Sequence, residues 1–344
     1  MEYTGAIRTG VVRCMTEGIV LRPEYRNLSH HRFCSCLWPS ARIAFLVLAF
    51  SALCSCAANR GVMKPISAAL TIRSGWCMIE DTRIHYVDTG DCRGCPTLVI
   101  VHGFLGSTFP FQDLIDGLSR EMRVVMPDLP GFGVSEPPPV VCSMEYYLDF
   151  LESLFQHLNL GRVYLMGTSL GANIAAHYAA EHPNRVRALI FVSPFGLYDQ
   201  GGRMTQVRRW DPLLPLASRL VTKSGVRRRL QRVIGDGQPL TPGLVDAFYK
   251  PFASAQARRA TLEVTRHIIG GCSMDEYLPR IEQPVLILIG SADKLLCPGD
   301  CEKFRRLLAA ERIEMIEGCG HFLYLDSPGV VTEKIVRFTR GGIR

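Results

Sequence analysis

Apolar and polar positions follow two different rhythms from about residue 66 to the end of the chain. Short apolar runs, most of them rich in β-branched residues, occupy residues 97–101, 123–126, 163–166, 188–192, 285–289 and 314–316. Helix-like stretches stand between or after them, at residues 111–118, 146–157, 172–180 and 331–339. Continuous apolar runs are typical of strands buried on both faces. Strands that alternate with helices predict an α/β fold, with a mostly parallel sheet covered by helices on both faces.

Two further strands are predicted before this alternation begins. Residues 68–79 and 82–88 carry apolar residues at alternate positions, and the polar pair Glu80–Asp81 stands between them as a turn. Alternation over several residues indicates a strand with one buried face. We therefore expect a hairpin to open the sheet.

One stretch interrupts the rhythm. Between Tyr198 and Glu282 no run resembles a buried strand, and the sequence is helical, basic and interrupted by prolines. It is predicted to be a helical insert over residues 198–280. The core of the α/β domain would then comprise residues 66–197 and 281–344.

The first 65 residues are predicted to form a leader. Residues 43–58 are almost wholly apolar, with Arg42 before them and Arg60 after them. This length is short for a membrane span and suits the apolar region of an export signal. Residues 53–56 resemble the lipobox of bacterial lipoproteins, which would make Cys56 the lipid-bearing residue. An uncut signal anchor and a buried helix are the alternatives. The export signal and the uncut anchor both predict a membrane-associated or exported protein of the cell envelope.

Composition narrows the possible functions. The 344 residues are 47% hydrophobic and 21% charged, with a formal charge of +7, which suits a globular protein with a sizeable core. No basic run is interleaved with stacking aromatics, so nucleic acid is not an expected partner. Among the thirteen cysteines, Cys92 and Cys95 are predicted to lie on a surface loop, bridged if the domain is exported. Metal or redox chemistry at these cysteines is the alternative.

The clearest chemical motif surrounds Ser169. The run Gly167-Thr-Ser-Leu-Gly171 follows a predicted strand and opens a predicted helix. In that setting G-x-S-x-G predicts a nucleophile on a sharp turn, where small neighbours avoid a clash between strand and helix. The first backbone N–H groups of the helix would be free to bind developing negative charge.

A serine hydroxyl needs a base, and the base needs a carboxylate that fixes its tautomer. His321 is the preferred base because it lies in a glycine-rich loop between the last predicted strand and the closing helix. Asp293 is the preferred acid because it follows the strand at residues 285–289. His102 and Asp300 are the alternatives. The order Ser169, Asp293, His321 along the chain predicts a serine nucleophile with its base and acid.

With these motifs, the chain from about residue 66 onward resembles the α/β-hydrolase superfamily of serine hydrolases. Residues 102–106 resemble its H-G-x-x-G oxyanion loop, and residues 128–133 resemble its D-x-x-G-x-G turn. The resemblance implies that the backbone N–H groups of Phe104 and Leu170 are the oxyanion donors. It also implies that His102 and Gly103 shape the loop, and that no metal or organic cofactor is required.

Within the superfamily, the segment around Ser169, the insert and the leader resemble membrane-associated monoacylglycerol lipases and esterases. This resemblance implies a small-molecule ester substrate, possible access to membrane lipid, and an insert that lies over the pocket as a lid. The segment around Ser169 also resembles C–C hydrolases of meta-cleavage products, which is one alternative; a non-catalytic hydrolase-like binding protein is another. Dehalogenases and epoxide hydrolases would need an aspartate at position 169, so both are rejected.

The insert is also rich in basic residues. Between Arg203 and Arg259 they are interspersed with apolar residues and far outnumber acidic ones. Basic and apolar helices suit the surface of a membrane that carries anionic lipid. An ordinary solvated helix face is the alternative reading of the same pattern.

Overall fold

An eight-stranded sheet forms the centre of the described part of the chain. The computed structural model describes residues 73–90, 94–197, 211–235, 240–296, 299–309 and 311–341. The strands are β1 (Arg73–Ile79), β2 (Thr82–Asp88), β3 (Thr97–Val101), β4 (Arg123–Pro127), β5 (Val163–Thr168), β6 (Val186–Val192), β7 (Val285–Gly290) and β8 (Glu311–Ile316).

The strand order is β1-β2-β4-β3-β5-β6-β7-β8. The first three neighbours, β1, β2 and β4, pair antiparallel, whereas all pairings from β4 to β8 are parallel. Parallel strands that follow one another in space direct their carboxyl ends to the same edge of the sheet. The loops after β5, β6, β7 and β8 therefore lie side by side.

Ten α-helices are described. They are α1 (Gln112–Leu118), α2 (Met144–His157), α3 (Leu170–Glu181), α4 (Leu214–Arg219), α5 (Lys223–Val233), α6 (Pro242–Tyr249), α7 (Ala255–Val264), α8 (Asp300–Leu307), α9 (Leu323–Asp326) and α10 (Pro328–Arg340).

The helices cover the sheet on both faces because the central strands are apolar along most of their length. Leu98 and Ile100 of β3 pack in the core that contains α1 and α10. Val99 and Val101 of the same strand pack in the opposite core, which contains α2 and α3. Successive side chains of a strand point to opposite faces, so a continuous apolar run supplies both cores. The predicted fold class is confirmed.

The helical insert contains α4 to α7, which lie between β6 and β7. Each of the last three begins at a hydroxyl side chain that accepts a backbone N–H bond of the first turn. Thr222 accepts from Gly225 at 3.2 Å, Thr241 from Leu244 at 3.2 Å, and Ser254 from Ala257 at 3.0 Å. Serine and threonine caps of this kind favour helix starts, so local chemistry accounts for the helix boundaries in this stretch.

Two differences from the predicted elements have physical causes. Helix α8 was missed because only one of its residues, Phe304, is buried, so the stretch lacks an apolar period. Strand β8 begins at Glu311, three residues before the predicted start, because it is an edge strand with several polar positions. Polar residues at a sheet edge hide the apolar signal of a strand.

Several predictions fall outside the described residues. They concern the leader at residues 1–65 with its apolar run at 43–58, the lipidation of Cys56, and the thiol of Cys92. Within the described ranges, none of the helices has the length and apolar character of a bilayer span. Cys95 is disulfide-bonded.

Candidate active site

Ser169 stands on a strained turn between β5 and α3. Its backbone has φ 50° and ψ −117°, a region that non-glycine residues seldom adopt. Its N–H donates to the Val192 carbonyl at 3.0 Å, and its own carbonyl accepts from Phe195 at 3.1 Å. These bonds to the loop after β6 hold the turn in place. Ser169 remains partly exposed while Thr168 and Leu170 on either side are buried.

Two glycines make the turn sterically possible. A Cβ at Gly167 would lie 2.5 Å from the Ala172 Cα, and a Cβ at Gly171 would lie 2.6 Å from the His102 carbonyl oxygen. Both distances are far below van der Waals contact. Strand, turn and helix can approach one another only because these positions lack side chains, and this approach lifts Ser169 to the carboxyl edge of the sheet.

His321 and Asp293 form a buried hydrogen-bonded pair. The Nδ1 of His321 is 2.8 Å from Oδ2 of Asp293, and both side chains are almost fully buried. Burial raises the pKa of Asp293, but the hydrogen bond and charge of His321 and the Leu295 N–H outweigh it, so the pKa is lower than usual. An ionised carboxylate accepts only, so Nδ1 carries the proton and the neutral ring keeps Nε2 as a base.

The sheet brings the three predicted residues to one edge. Ser169 follows β5, Asp293 follows β7 and His321 follows β8, and these strands lie close together in the sheet order. Within the described residues the Ser169 hydroxyl forms no hydrogen bond. Such bonds are often long in unliganded enzymes and tighten only with substrate. Asp300, the alternative acid, is instead the first residue of α8.

The loop at residues 102–106 lies against the Ser169 turn. A Cβ at Gly103 would be 3.0 Å from the Ser169 Cβ, which places the peptide between Gly103 and Phe104 beside the hydroxyl-bearing residue. The Gly106 N–H donates to the Gly103 carbonyl at 3.0 Å and closes the loop as a turn. The N–H groups of Phe104 and of Leu170, the first residue of α3, thus belong to the two segments that flank Ser169.

His102 stabilises the loop at residues 102–106 through hydrogen bonds to the backbone. It is fully buried; its Nδ1–H donates to the Gly103 carbonyl at 2.8 Å and its Nε2 accepts from the Leu129 N–H at 2.9 Å. The pKa of His102 is lower than usual because burial disfavours the charged ring. This effect outweighs the charge of Asp128 and the hydrogen bond to the Gly103 carbonyl, which both raise the pKa. Both ring nitrogens are therefore engaged by the backbone, and the side chain is unsuited to accept a proton from Ser169.

Two residues near the site carried no signal in the sequence. Ser193, after β6, is buried with φ 45°. Its hydroxyl lies beside the Asp293 carboxylate and helps to lower the pKa of Asp293. Asp326, in α9, accepts backbone N–H bonds from Gly320 and Gly235. Neither residue belongs to a sequence motif. The one signal in the sequence is the position of Asp326, five residues after His321.

Metal ligation has no visible basis in the described ranges. No three or more His, Cys, Asp or Glu side chains are grouped there in a way that could hold a metal ion. The polar groups at the carboxyl edge are a hydroxyl, an imidazole, a carboxylate and backbone N–H groups, which together can perform acyl transfer.

Known proteins resemble this chain over most of its length. A family model described as the alpha/beta hydrolase fold matches residues 96–328. A haloalkane dehalogenase of Mycolicibacterium paratuberculosis is 30% identical over 267 residues, covering 74% of this chain and 86% of that protein. A monoacylglycerol lipase of Rattus norvegicus is 26% identical over 285 residues, covering 75% and 80%.

Among solved structures, a bacterial membrane phospholipase A has the same fold. It is 23% identical with a TM-score of 0.68, covering 88% of this chain and 90% of that one. The matched family segment contains Ser169, Asp293 and His321 and every strand from β3 to β8. The chain belongs to the alpha/beta hydrolase family.

Proposed function

We propose that this hydrolase cleaves carboxylic esters, with Ser169 as nucleophile, His321 as general base and Asp293 as the acid of the triad. The observation that carries the proposal is the buried His321–Asp293 hydrogen bond of 2.8 Å at the sheet edge where Ser169 stands on its strained turn. An ionised Asp293 leaves Nε2 of His321 free to take the hydroxyl proton.

The reaction proceeds through an acyl-enzyme. Ser169 attacks the ester carbonyl, and the backbone N–H groups of Phe104 and Leu170 stabilise the resulting oxyanion. His321 then protonates the leaving alcohol. Water repeats the sequence, with His321 again as base, and the acid is released. Each step uses groups of this chain alone.

The chemistry of serine argues against halide displacement, although a relative bears the name of a dehalogenase. An alkyl group transferred to Ser169 would form an ether, which water at neutral pH does not cleave. A carboxylate nucleophile would form an ester, which water can open. With a hydroxyl at position 169, turnover is expected for acyl substrates and not for alkyl halides.

A lipid-like substrate is the finer part of the proposal. Two similar proteins are named as a monoacylglycerol lipase and a membrane phospholipase A. The insert packs on both predicted site loops: Leu230 and Phe248 share a core with Leu105 and Phe322, which neighbour Phe104 and His321. An apolar roof over the site favours acyl chains over polar substrates, in the manner of a lid.

The outer surface of the insert supports a membrane as partner. Leu213, Leu216 and Leu220 are about half exposed. Leu213 directly precedes α4, Leu216 lies in it and Leu220 directly follows it, so the three recur at helical spacing, and the exposed Arg219 and Arg227 lie nearby in sequence. Outward leucines beside basic residues suit insertion at an anionic lipid surface. The disulfide of Cys95 adds support for an oxidising compartment, in keeping with an exported, envelope-associated protein.

A ladder of p-nitrophenyl esters from short to long acyl chains tests the activity. The full chain should hydrolyse these esters, with the highest kcat/KM at medium or long chains, and Ser169→Ala should be inactive. Activity on short esters only would remove the lipid part of the proposal. Cleavage of a dienone in preference to every ester would favour a C–C hydrolase. Inertness of the wild type toward a fluorophosphonate would favour a non-catalytic binding protein.

Vesicle sedimentation tests the membrane surface. The full chain should bind vesicles that contain phosphatidylglycerol better than pure phosphatidylcholine, and Arg219→Gln with Arg227→Gln should reduce binding by about fivefold for each charge. Replacing Leu213, Leu216 and Leu220 by serine should weaken binding to both vesicles. Met315→Ser, at an exposed apolar residue of β8, is the matched control. Equal binding by all variants would remove this surface from the proposal.

A further inference from the structure

The end of α5 is bonded directly to the loop that carries His321. The N–H of His321 donates to the Val233 carbonyl at 2.7 Å. The Gly235 N–H, two residues further along the insert, donates to the Asp326 carboxylate at 2.9 Å. The same carboxylate accepts the Gly320 N–H at 2.7 Å. Asp326 therefore bridges the helical insert and the residue that precedes His321.

The two backbones are also in steric contact at this point. A Cβ at Gly235 would lie 2.8 Å from the Gly318 carbonyl oxygen, and a Cβ at Gly320 would lie 2.9 Å from the Gly235 nitrogen. Apolar side chains extend the contact, because Ile234 packs in a common cluster with Phe322 and Leu325. Dense contacts of this kind transmit a displacement of one segment to the other.

The bridge is formed by a half-buried carboxylate. Burial and the negative charge of Asp293 raise the pKa of Asp326, and the N–H groups of Gly320 and Gly235 oppose them. A desolvated carboxylate is costly unless donors compensate it. Two of the compensating donors, the Gly235 N–H and the Gly320 N–H, come from segments that are far apart in sequence, so separating the segments would take one of them away from the carboxylate.

We infer that Asp326 is a positioning residue for His321, and that the end of α5 with the two residues after it (residues 233–235) is a fixed part of the catalytic centre. The inference rests on the proposed function, in which His321 is the base. If residues 233–235 lifted away, the His321 N–H would lose its acceptor and the Asp326 carboxylate would lose the Gly235 N–H. Substrate must therefore enter without displacing the end of α5.

The experiment compares Asp326→Ala and Asp326→Asn in the full chain with Asp246→Asn as control. Asp246 also lies in the insert, but its ion pair with Lys223 is exposed on the surface. The readouts are kcat and KM for a soluble p-nitrophenyl ester, the rate of fluorophosphonate labelling, and hydrogen exchange of peptides that contain Gly235 and His321.

Asp326→Ala should lower kcat and the labelling rate by about 10- to 100-fold, since small misplacements of a catalytic group have effects of this size. KM should stay within about twofold. Exchange should accelerate in both peptides together. Asp326→Asn should show a smaller loss, because its amide oxygen still accepts, and Asp246→Asn should match the wild type.

An unchanged kcat in Asp326→Ala, or exchange that accelerates in only one of the two peptides, would overturn the inference. If the alanine variant does not fold, the asparagine variant decides by the same criteria. Ser169→Ala and His321→Ala run in the same assay separate the two claims. If either retains full turnover, the proposed function fails; if both are inactive while the Asp326 variants are normal, only the positioning role fails.

Discussion

In the described part of the chain, two histidine–aspartate hydrogen bonds, His321–Asp293 and His85–Asp128, have the arrangement that can serve a serine, and only His321–Asp293 lies at the candidate site. The second pair, with His85 in β2 and Asp128 after β4, is also hydrogen-bonded to Ser74 of β1. Ser74 Oγ is 2.8 Å from His85 Nε2, and His85 Nδ1 is 3.0 Å from Asp128 Oδ2. The His321–Asp293 pair has the same geometry at 2.8 Å.

The electrostatic state of the His85–Asp128 pair is also that of a triad. Burial raises the pKa of Asp128, but the His85 hydrogen bond, the charge of His102 and the N–H groups of Val134 and Thr108 outweigh it, so the pKa falls below its usual range. The ionised carboxylate holds the proton on Nδ1 of His85. The Ser74 hydroxyl is hydrogen-bonded to the other ring nitrogen, Nε2, which is the position that the nucleophile of a triad occupies.

What differs is the backbone around the serine. Ser74 lies in the exposed edge strand β1, within regular antiparallel pairing to β2. Ser169 lies on a strained turn at the start of α3, beside the loop of residues 102–106. A histidine–aspartate pair can activate a serine hydroxyl. The oxyanion of the tetrahedral intermediate also needs hydrogen-bond donors that are already oriented toward it. The comparison shows that the turn at Ser169 and the loop at residues 102–106 distinguish the candidate site more than the histidine–aspartate pair does.

The largest expected effect is the difference in kcat between substitutions of Ser169 and of Ser74. Ser169→Ala is expected to lower kcat for an ester on the order of 10⁵- to 10⁶-fold, because it removes the proposed nucleophile. Ser74→Ala should leave kcat within about twofold, since Ser74 lies away from the candidate site and one partly buried hydrogen bond contributes little to stability. Steady-state kinetics on both variants, with mass spectrometry of fluorophosphonate adducts, would check this. An adduct on Ser74 in the Ser169→Ala protein would break the comparison.

A smaller effect should separate the two acids. Asp293→Asn is expected to lower kcat by about 10⁴-fold, because the amide favours the wrong imidazole tautomer. Asp128→Asn should mainly destabilise the fold, by about 1–3 kcal/mol, since it weakens the acceptor for buried donors such as the Thr108 N–H at 2.6 Å. Kinetics and urea unfolding of both variants would show whether each acid controls rate or stability. Equal losses of kcat would contradict the distinction.

The smallest effect concerns pH. The pKa of Asp128 is lower in the folded than in the unfolded chain, where it is about 3.9. Its contribution to stability is therefore complete above the unfolded pKa and is lost as the pH falls through the folded pKa. The difference in free energy of unfolding between wild type and Asp128→Asn should shrink from about pH 5 downward. A difference that stays constant or grows in acid would show that the Asp128 charge is not stabilising.

Much of the site could be predicted because its signals are local. Gly167 and Gly171 flank Ser169 in the chain, and the steric need for small residues at a strand–turn–helix junction is legible in five consecutive positions. His321 and Asp293 were found by their positions after predicted strands. The role of Asp326 could not be predicted, because its partners Gly235 and Gly320 come from different segments. The hydrogen bonds that link Ser74, His85 and Asp128 could not be predicted for the same reason, because Asp128 is far from His85 in the chain.

The sequence by itself determined the alternation of strands and helices in the core, apart from α8, together with the two-sided burial of the central strands and the residue types at the turn of Ser169. These follow from side-chain periodicity and local sterics, which act over a few residues. Only the tertiary structure decided which carboxylate bonds to His321, that His102 is occupied by backbone groups, and that the insert is bonded to the His321 loop. Those contacts depend on distances between segments remote in sequence, which pattern and propensity do not encode.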